Sequence, residues 1–262
     1  MVINMVKILV GVKYSLQVEN LSIDPKNRSI LLDETPKKMG DMDKRALEEA
    51  IRIKEKHGGE VVVLCVGPKE ANKILLEAYA MGADEAYLVP FEGFYDTSFI
   101  ANVFSKFYET KGPFDLIILG GASTDSFSGT LGARIAGLLN IPVVPFVSKL
   151  DLENGAIIGE SALDDGKYKY KCNTPAVVTV TLEINEPRIP KLKDILRAKR
   201  KKINEISVSD LGLGEISNLV ITRDVKAYEE KRKQIILDAS EPSKLDEVID
   251  KLVNYLKEEG VL

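Results

Sequence analysis

The residues best suited to chemistry in this sequence are small and polar. They form the run Gly120, Gly121, Ala122, Ser123, Thr124, Asp125, Ser126, Phe127, Ser128, Gly129, Thr130, Leu131 and Gly132. The apolar stretch 114–119 before it reads as a strand, and 130–139 reads as a helix. Glycines ending a strand, a small-polar loop and a helix start together leave backbone N–H groups free for a phosphate. Asp125 is a candidate acceptor for a ribose hydroxyl or an adenine amino group; the plainer alternative is that Asp125 or Ser128 caps the helix. Two further strand ends carry similar residues, Gly11-Val12-Lys13 and Val66-Gly67-Pro68. The loop has neither the G-x-G-x-x-G spacing nor a Gly-Lys-Ser/Thr ending. NAD binding by the usual fingerprint and P-loop ATP hydrolysis are therefore disfavoured.

Titratable groups add little. The 262 residues contain one His, two distant Cys (Cys65 and Cys172) and no Trp. No His/Cys zinc site, C-x-x-C pair or Cys-His dyad can be assembled from these, so no metal site is expected and any redox chemistry must come with a bound cofactor. His57 reads as a solvated cation at a helix end and Cys65 as a core thiol. Asp164-Asp165 before Gly166 reads as a turn. With 36 Lys+Arg against 40 Asp+Glu, a net charge of -4 argues against a nucleic-acid surface. The exception is Lys199-Arg200-Lys201-Lys202, a solvated helix end or a docking surface for an acidic partner. The opening residues lack the pattern of a cleavable leader, and no run reaches the roughly 18 apolar residues of a spanning helix. A soluble, cytoplasmic protein is the expectation. Two Gln beside abundant Lys, Glu and Ile is a composition seen in thermophiles.

The elements that must position the loop follow a clear rhythm. Apolar runs at 6–12, 60–67, 86–90 and 114–120 read as strands buried on both faces. Helices are expected over 43–57, 68–81, 97–110 and 130–139. The first presents Ala46, Leu47, Ala50, Ile51 and Ile53 on one face and is closed by Gly58-Gly59. Thr97 or Ser98 is the expected N-cap of the third, and Ile30-Leu31-Leu32 a short edge strand. Strand and helix alternate at roughly 25 to 30 residues per pair, the rhythm of βαβ units and a doubly wound, mostly parallel α/β sheet. From 143 to 182 the pattern becomes that of antiparallel ribbons, with turns at Glu153-Asn154-Gly155 and Asp164-Asp165-Gly166. The expected organisation is an α/β domain over 1–190 and, over 191–262, a charged arm. Its last helix, 243–259, carries Leu245, Val248, Ile249, Leu252, Val253 and Leu256 as one apolar stripe, suited to wrapping a partner.

Taken in order, Val10-Gly11-Val12-Lys13, Ala46-Leu47-Glu48-Glu49-Ala50, Val66-Gly67-Pro68, Ala80 to Asp84, Gly120 to Gly132, Pro175 to Val180, Asn185-Glu186-Pro187-Arg188 and Ala198 to Ile203 resemble the β subunit of electron transfer flavoprotein. The resemblance spans nearly the whole chain. It implies a sheet similar to that of adenine-nucleotide α-hydrolases and a non-catalytic electron carrier subunit. The implied partner is an α subunit that holds the redox-active FAD. It further implies one buried nucleotide in this chain, AMP in simple carriers or a second FAD in electron-bifurcating ones. That pocket would use Gly11, Val12, Lys13, Gly40, Asp41, Met42, Asp43, Val66 and the loop from Gly120 to Leu131, with Gly129, Thr130 and Leu131 on the phosphate. A partner-recognition segment at 190–199, with Leu192, Ile195 and Lys199, would dock a flavin dehydrogenase of the acyl-CoA dehydrogenase type. A quinone reductase or ferredoxin would take the electrons. The chain departs from the family where Asn-Pro-Phe is common, having Gly40-Asp41-Met42, and where Phe127 and Thr130 replace an acidic residue and a Gln. Outside the family, the alternative is an adenine-nucleotide enzyme or sensor of the same fold, which would need a phosphate-activating base or a metal-binding carboxylate pair at the strand ends.

Overall fold

A computed structural model describes residues 5–93, 96–214, 220, 225–227 and 233–262. The first unit, Met1–Lys226, is built on a nine-stranded sheet. Its strands are β1 (Val6–Gly11), β4 (Gly59–Gly67), β5 (Glu85–Pro90), β6 (Leu116–Gly120), β7 (Val143–Glu153), β8 (Ala156–Leu163), β9 (Gly166–Asn173), β10 (Ala176–Val180) and β11 (Asn204–Glu205). A separate ribbon pairs β2 (Tyr14–Leu16) with β3 (Lys37–Met39). The helices of this unit are α1 (Asp41–His57), α2 (Asn72–Met81), α3 (Thr97–Lys111), α4 (Leu131–Leu139) and α5 (Leu192–Ala198).

The strand order is β11-β5-β4-β1-β6-β10-β7-β8-β9, parallel from β11 to β7 and antiparallel through β8 and β9. The doubly wound α/β expectation therefore holds, with the antiparallel ribbon added at one edge. From β1 the chain winds outward to β4 and β5, then returns across the sheet to β6 on the other side of β1. That reversal places a topological switch point between the C-terminal ends of β1 and β6, where ligands bind in such sheets.

Alternation along the strands sorts the core into two layers. Ile8, Val10, Val61, Val63 and Ile118 pack with α1 and α2, and Leu9, Val62, Leu64 and Ile117 pack with α3 and α4. All five apolar residues expected on the α1 face are buried. The α3 layer is aromatic. Phe107, fully buried, lies edge-on to Tyr87 at 4.9 Å and stacks on Phe114 at 6.1 Å.

Three local expectations are corrected. Asp96, not Thr97 or Ser98, caps α3, its Oδ1 accepting from the Phe99 N–H at 2.9 Å. Ile30 makes one bridge to Ile23 and no strand runs over 30–32, because a turn stabilised by Thr35 follows. His57 is half-buried, not solvated, and its Nε2 has no hydrogen-bond partner among the described residues.

The second unit, Ala227–Leu262, contains α6 (Leu245–Glu258). No residue of α6 is buried, and Leu245, Ile249 and Leu252 on its apolar stripe are exposed. Among the described residues no helix is long and apolar enough to cross a membrane.

Removing the ring at the centre of the aromatic layer should leave a cavity that these fixed neighbours cannot close. Phe107→Ala is expected to lower the unfolding free energy by about 3–5 kcal/mol, read by urea denaturation. A loss below about 1 kcal/mol would show that the layer repacks.

Candidate functional site

A cleft opens at the switch point, with an empty volume of about 740 Å³ when its open mouth is counted. Gly11, Val12 and Lys13 bound it from the end of β1, Val66 from β4, and Leu119, Gly120, Ala122, Ser123, Ser126, Ser128, Gly129, Thr130 and Leu131 from β6 and its loop. Asp43, from the first turn of α1, forms part of the wall. Of the residues expected from sequence, Gly40, Asp41, Met42, Gly121, Thr124, Asp125 and Phe127 flank the cleft without lining it. Asp41 is exposed and pairs with Lys38, and Phe127 stands exposed at the loop tip.

Sequence reasoning missed Asp96, Thr97, Ile100 and Phe104, which close the cleft from α3. The connection from β5 back to β6 must cross the sheet beside the switch point, so the start of its helix arrives there. An Asp-Thr pair ahead of an apolar helical run was the available signal.

Asp43 organises the wall. Its Oδ2 accepts the backbone N–H of Lys13 at 2.9 Å, and the N–H of Gly120 also points to the carboxylate. A β-carbon on Gly120 would lie 2.5 Å from Asp43 Oδ1, so only glycine allows this approach. Burial pushes the Asp43 carboxyl up from 3.8 to about 6, against the opposing pull of the Lys13 N–H.

Across the cleft, the Lys13 ammonium donates to Asp125 Oδ1 at 2.5 Å and lies 3.4 Å from the hydroxyls of Ser123 and Ser126. Asp125 Oδ2 accepts the N–H of Leu16 at 3.3 Å. Burial works to raise the Asp125 carboxyl, but the Lys13 ammonium holds it below its ordinary value. Asp125 is therefore a latch between the loop and the β2–β3 ribbon, and both its oxygens are engaged within the chain.

Neither Asp125 nor Ser128 caps α4. Thr130 occupies the N-cap position without a side-chain cap bond, and its hydroxyl donates instead to Thr97 Oγ1 at 3.3 Å. Gly129 precedes it at φ +63°, which turns the chain into the helix. The head of α4 thus meets the cleft with N–H groups that no side chain caps, a seat for one anion. The head of α3 is already answered by the Asp96 carboxylate. Lys13, the only basic residue lining the cleft among the described residues, is held by Asp125.

The comparisons with known proteins meet this geometry. A family profile described as electron transfer flavoprotein domain matches residues 29–211. The electron transfer flavoprotein subunit beta of Thermoanaerobacterium thermosaccharolyticum is 40% identical over 205 residues, 78% of each chain. That of Bradyrhizobium diazoefficiens is 36% identical over 228 residues, 86% of each. The mouse protein of the same description is 32% identical over 206 residues, 77% of this chain and 80% of its own. This chain belongs to the electron transfer flavoprotein β-subunit family.

The electron transfer flavoprotein match takes in the cleft loop and the segment at 190–199, but not Gly11 to Lys13 or α6. In that segment Leu192, Ile195 and Lys199 are exposed. Of the basic run behind it, Lys201 is turned inward, its ammonium donating to the Ala83 carbonyl at 2.9 Å and lying 4.6 Å over the Tyr79 ring. Lys199 and Arg200 remain exposed.

Asp43 gives this site a signature in pH. Its folded value lies above the unfolded one of about 3.9, so the stability it contributes is full below about pH 4 and is lost as pH rises through about 6. Asp43→Asn removes that titration. Relative to the variant, the wild type should lose roughly 2–3 kcal/mol of unfolding free energy between about pH 4 and pH 6.5. Parallel stability curves would show that Asp43 does not titrate there.

Proposed function

We propose that this chain is the β subunit of a heterodimeric electron carrier and that its cleft holds AMP. The observation that carries the reading is the uncapped head of α4, which faces a switch-point cleft with Gly120 and Gly129 on either side of the approach. A single anion seat suits a monophosphate, since the carboxylate of Asp96 fills the head of α3 where a second phosphate of a dinucleotide would look for N–H donors. The residues present fit the nucleotide. Backbone groups at Gly129, Thr130 and Leu131 would take the phosphate, Val12, Val66, Ile100 and Phe104 offer apolar contact for a base, and the Lys13–Asp125 latch holds the loop closed over it.

FAD, held mainly by an α subunit, supplies the electron chemistry in this reading. The chain's own part is to bind and orient: it seats the nucleotide, offers the exposed stripe of α6 to the α subunit, and presents the segment around Leu192 to a flavin dehydrogenase of the acyl-CoA dehydrogenase type. A quinone reductase or ferredoxin would receive the electrons. The alternative of an adenine-nucleotide enzyme finds little support in the side chains. Lys13 is engaged by Asp125, Asp43 accepts from Lys13 N–H, and Asp96 is occupied in capping.

Co-expression with the α subunit, denaturation and quantification of the released nucleotides tests the proposal. One FAD and one AMP per heterodimer are expected. Two FAD would place flavin in the cleft and make the carrier of the bifurcating kind, and failure to assemble with any flavin-containing α subunit would sink the carrier reading. Gly129→Val, a β-branched side chain at positive φ, should reduce AMP content while FAD is kept.

A further inference from the structure

The segment that presents Leu192 is fastened to the body at both ends. At its start the Asn185–Arg188 stretch lies along α1. Asn185 Nδ2 donates to Glu49 Oε2 at 2.9 Å and to the Arg45 carbonyl at 3.0 Å, while the Arg45 guanidinium donates to the Asn185 carbonyl. Arg188 then spans two carboxylates of the same helix. Its Nε and Nη2 donate to Glu48 Oε2 and Oε1 at 2.8 and 3.2 Å, and its Nη1 and Nη2 donate to Glu55 Oε1 and Oε2 at 2.6 and 2.9 Å. The far end is held by Lys201 over Tyr79, whose hydroxyl donates to the Lys202 carbonyl at 2.7 Å, and by Ala198 buried against α2.

Between these fastenings the chain turns apolar side chains into water. Ile189, one residue beyond the Arg188 bridge, is 91% exposed and Leu192 is 71% exposed, with Leu196 one helical turn further on also exposed. Aliphatic groups held that far out do nothing for the fold. Around them Lys191, Lys193, Arg197, Lys199 and Arg200 are exposed against one carboxylate, Asp194, within 191–200. A rigid apolar knob ringed by cations is complementary to an apolar hollow ringed by carboxylates, and fixing it beforehand removes ordering cost from association.

We propose that Arg188 is a positioning residue whose bridge between Glu48 and Glu55 fixes Ile189 and Leu192 as a paired anchor for an apolar, carboxylate-rimmed hollow on a flavin dehydrogenase. The proposal rests on the reading of this chain as a carrier that docks through 190–199. It adds Ile189 to the anchor and places the control of its height on α1. Lysine at 188 keeps the charge beside buried Glu48 but cannot grip both carboxylates. Glu55 is half exposed, so its removal leaves no buried charge unpaired.

The test compares purified heterodimers in steady-state reduction by an acyl-CoA dehydrogenase that reduces the wild type. Amide hydrogen exchange is followed over 189–198. Arg188→Lys should raise the KM for the carrier about tenfold at unchanged kcat, speed exchange at 189–192 and leave FAD and AMP content as in wild type. Glu55→Gln should move KM and exchange the same way to a smaller extent. Ile189→Ser should raise KM without altering exchange. An unchanged KM in Arg188→Lys and Glu55→Gln, with Leu192→Ala still raising it, would overturn the positioning role alone. An unchanged KM in Leu192→Ala as well would remove the docking reading beneath it. Loss of FAD or AMP in Arg188→Lys would assign the bridge to folding and overturn the proposal.

Discussion

A carboxylate shut away from water is tolerated only where hydrogen bonds answer it, and Asp43 is answered by the ends of two neighbouring strands. The Lys13 N–H follows β1, the Gly120 N–H ends β6, and the carboxylate itself rides on the first turn of α1. Holding the ion there costs desolvation, which is why its carboxyl is pushed up to about 6. The same contacts fix how far β1 and β6 diverge at the switch point. A side chain at 120 would collide with Asp43 and Met42 and force the cleft to widen. The cleft's width is therefore set by a polar contact, while the apolar layers on either face set only its depth.

With the wall fixed, the loop from Gly120 to Thr130 has few choices. Several of its polar side chains are engaged internally, Asp125 by Lys13 and Leu16, Ser123 and Ser126 by each other, Thr130 by Thr97, while the buried Thr124 hydroxyl has no partner among the described residues. The N–H groups at the head of α4 are likewise left without a side-chain cap. A helix head whose N–H groups no side chain caps favours an anion held by main-chain geometry.

Much of this was legible in the residues. The unbroken apolar runs at 6–12, 60–67 and 114–120 and the glycines at 11, 67 and 120 sufficed for the sheet and for the strand ends that bound the cleft. What stayed hidden was pairing at long range. Nothing local says that Lys13 will reach Asp125, about a hundred residues on, or that this pairing spends the carboxylate a ribose would have used. The β2–β3 ribbon escaped notice because Tyr14–Leu16 and Lys37–Met39 are three residues each, too short for a periodicity to register. Asp96 was passed over for Thr97 because N-cap preference hardly separates the two. Tertiary placement of the α3 head beside the cleft, invisible in the sequence, gave Asp96 its second role.

Helix α1 joins the two surfaces that matter. Its first turn carries Asp43 into the cleft, and Glu48, Glu49, Arg52 and Glu55, on the following turns, hold the Asn185–Arg188 stretch. Ala46, Leu47, Ala50, Ile51 and Ile53 meanwhile lock the helix onto the sheet. A displacement at its head would need to shear a close-packed layer to reach Arg188, which packed interiors resist. The helix therefore ties the cleft wall and the Asn185–Arg188 stretch to one close-packed layer. In the proposed carrier, that connection would let the segment around Leu192 keep its geometry relative to the cleft whichever partner is bound.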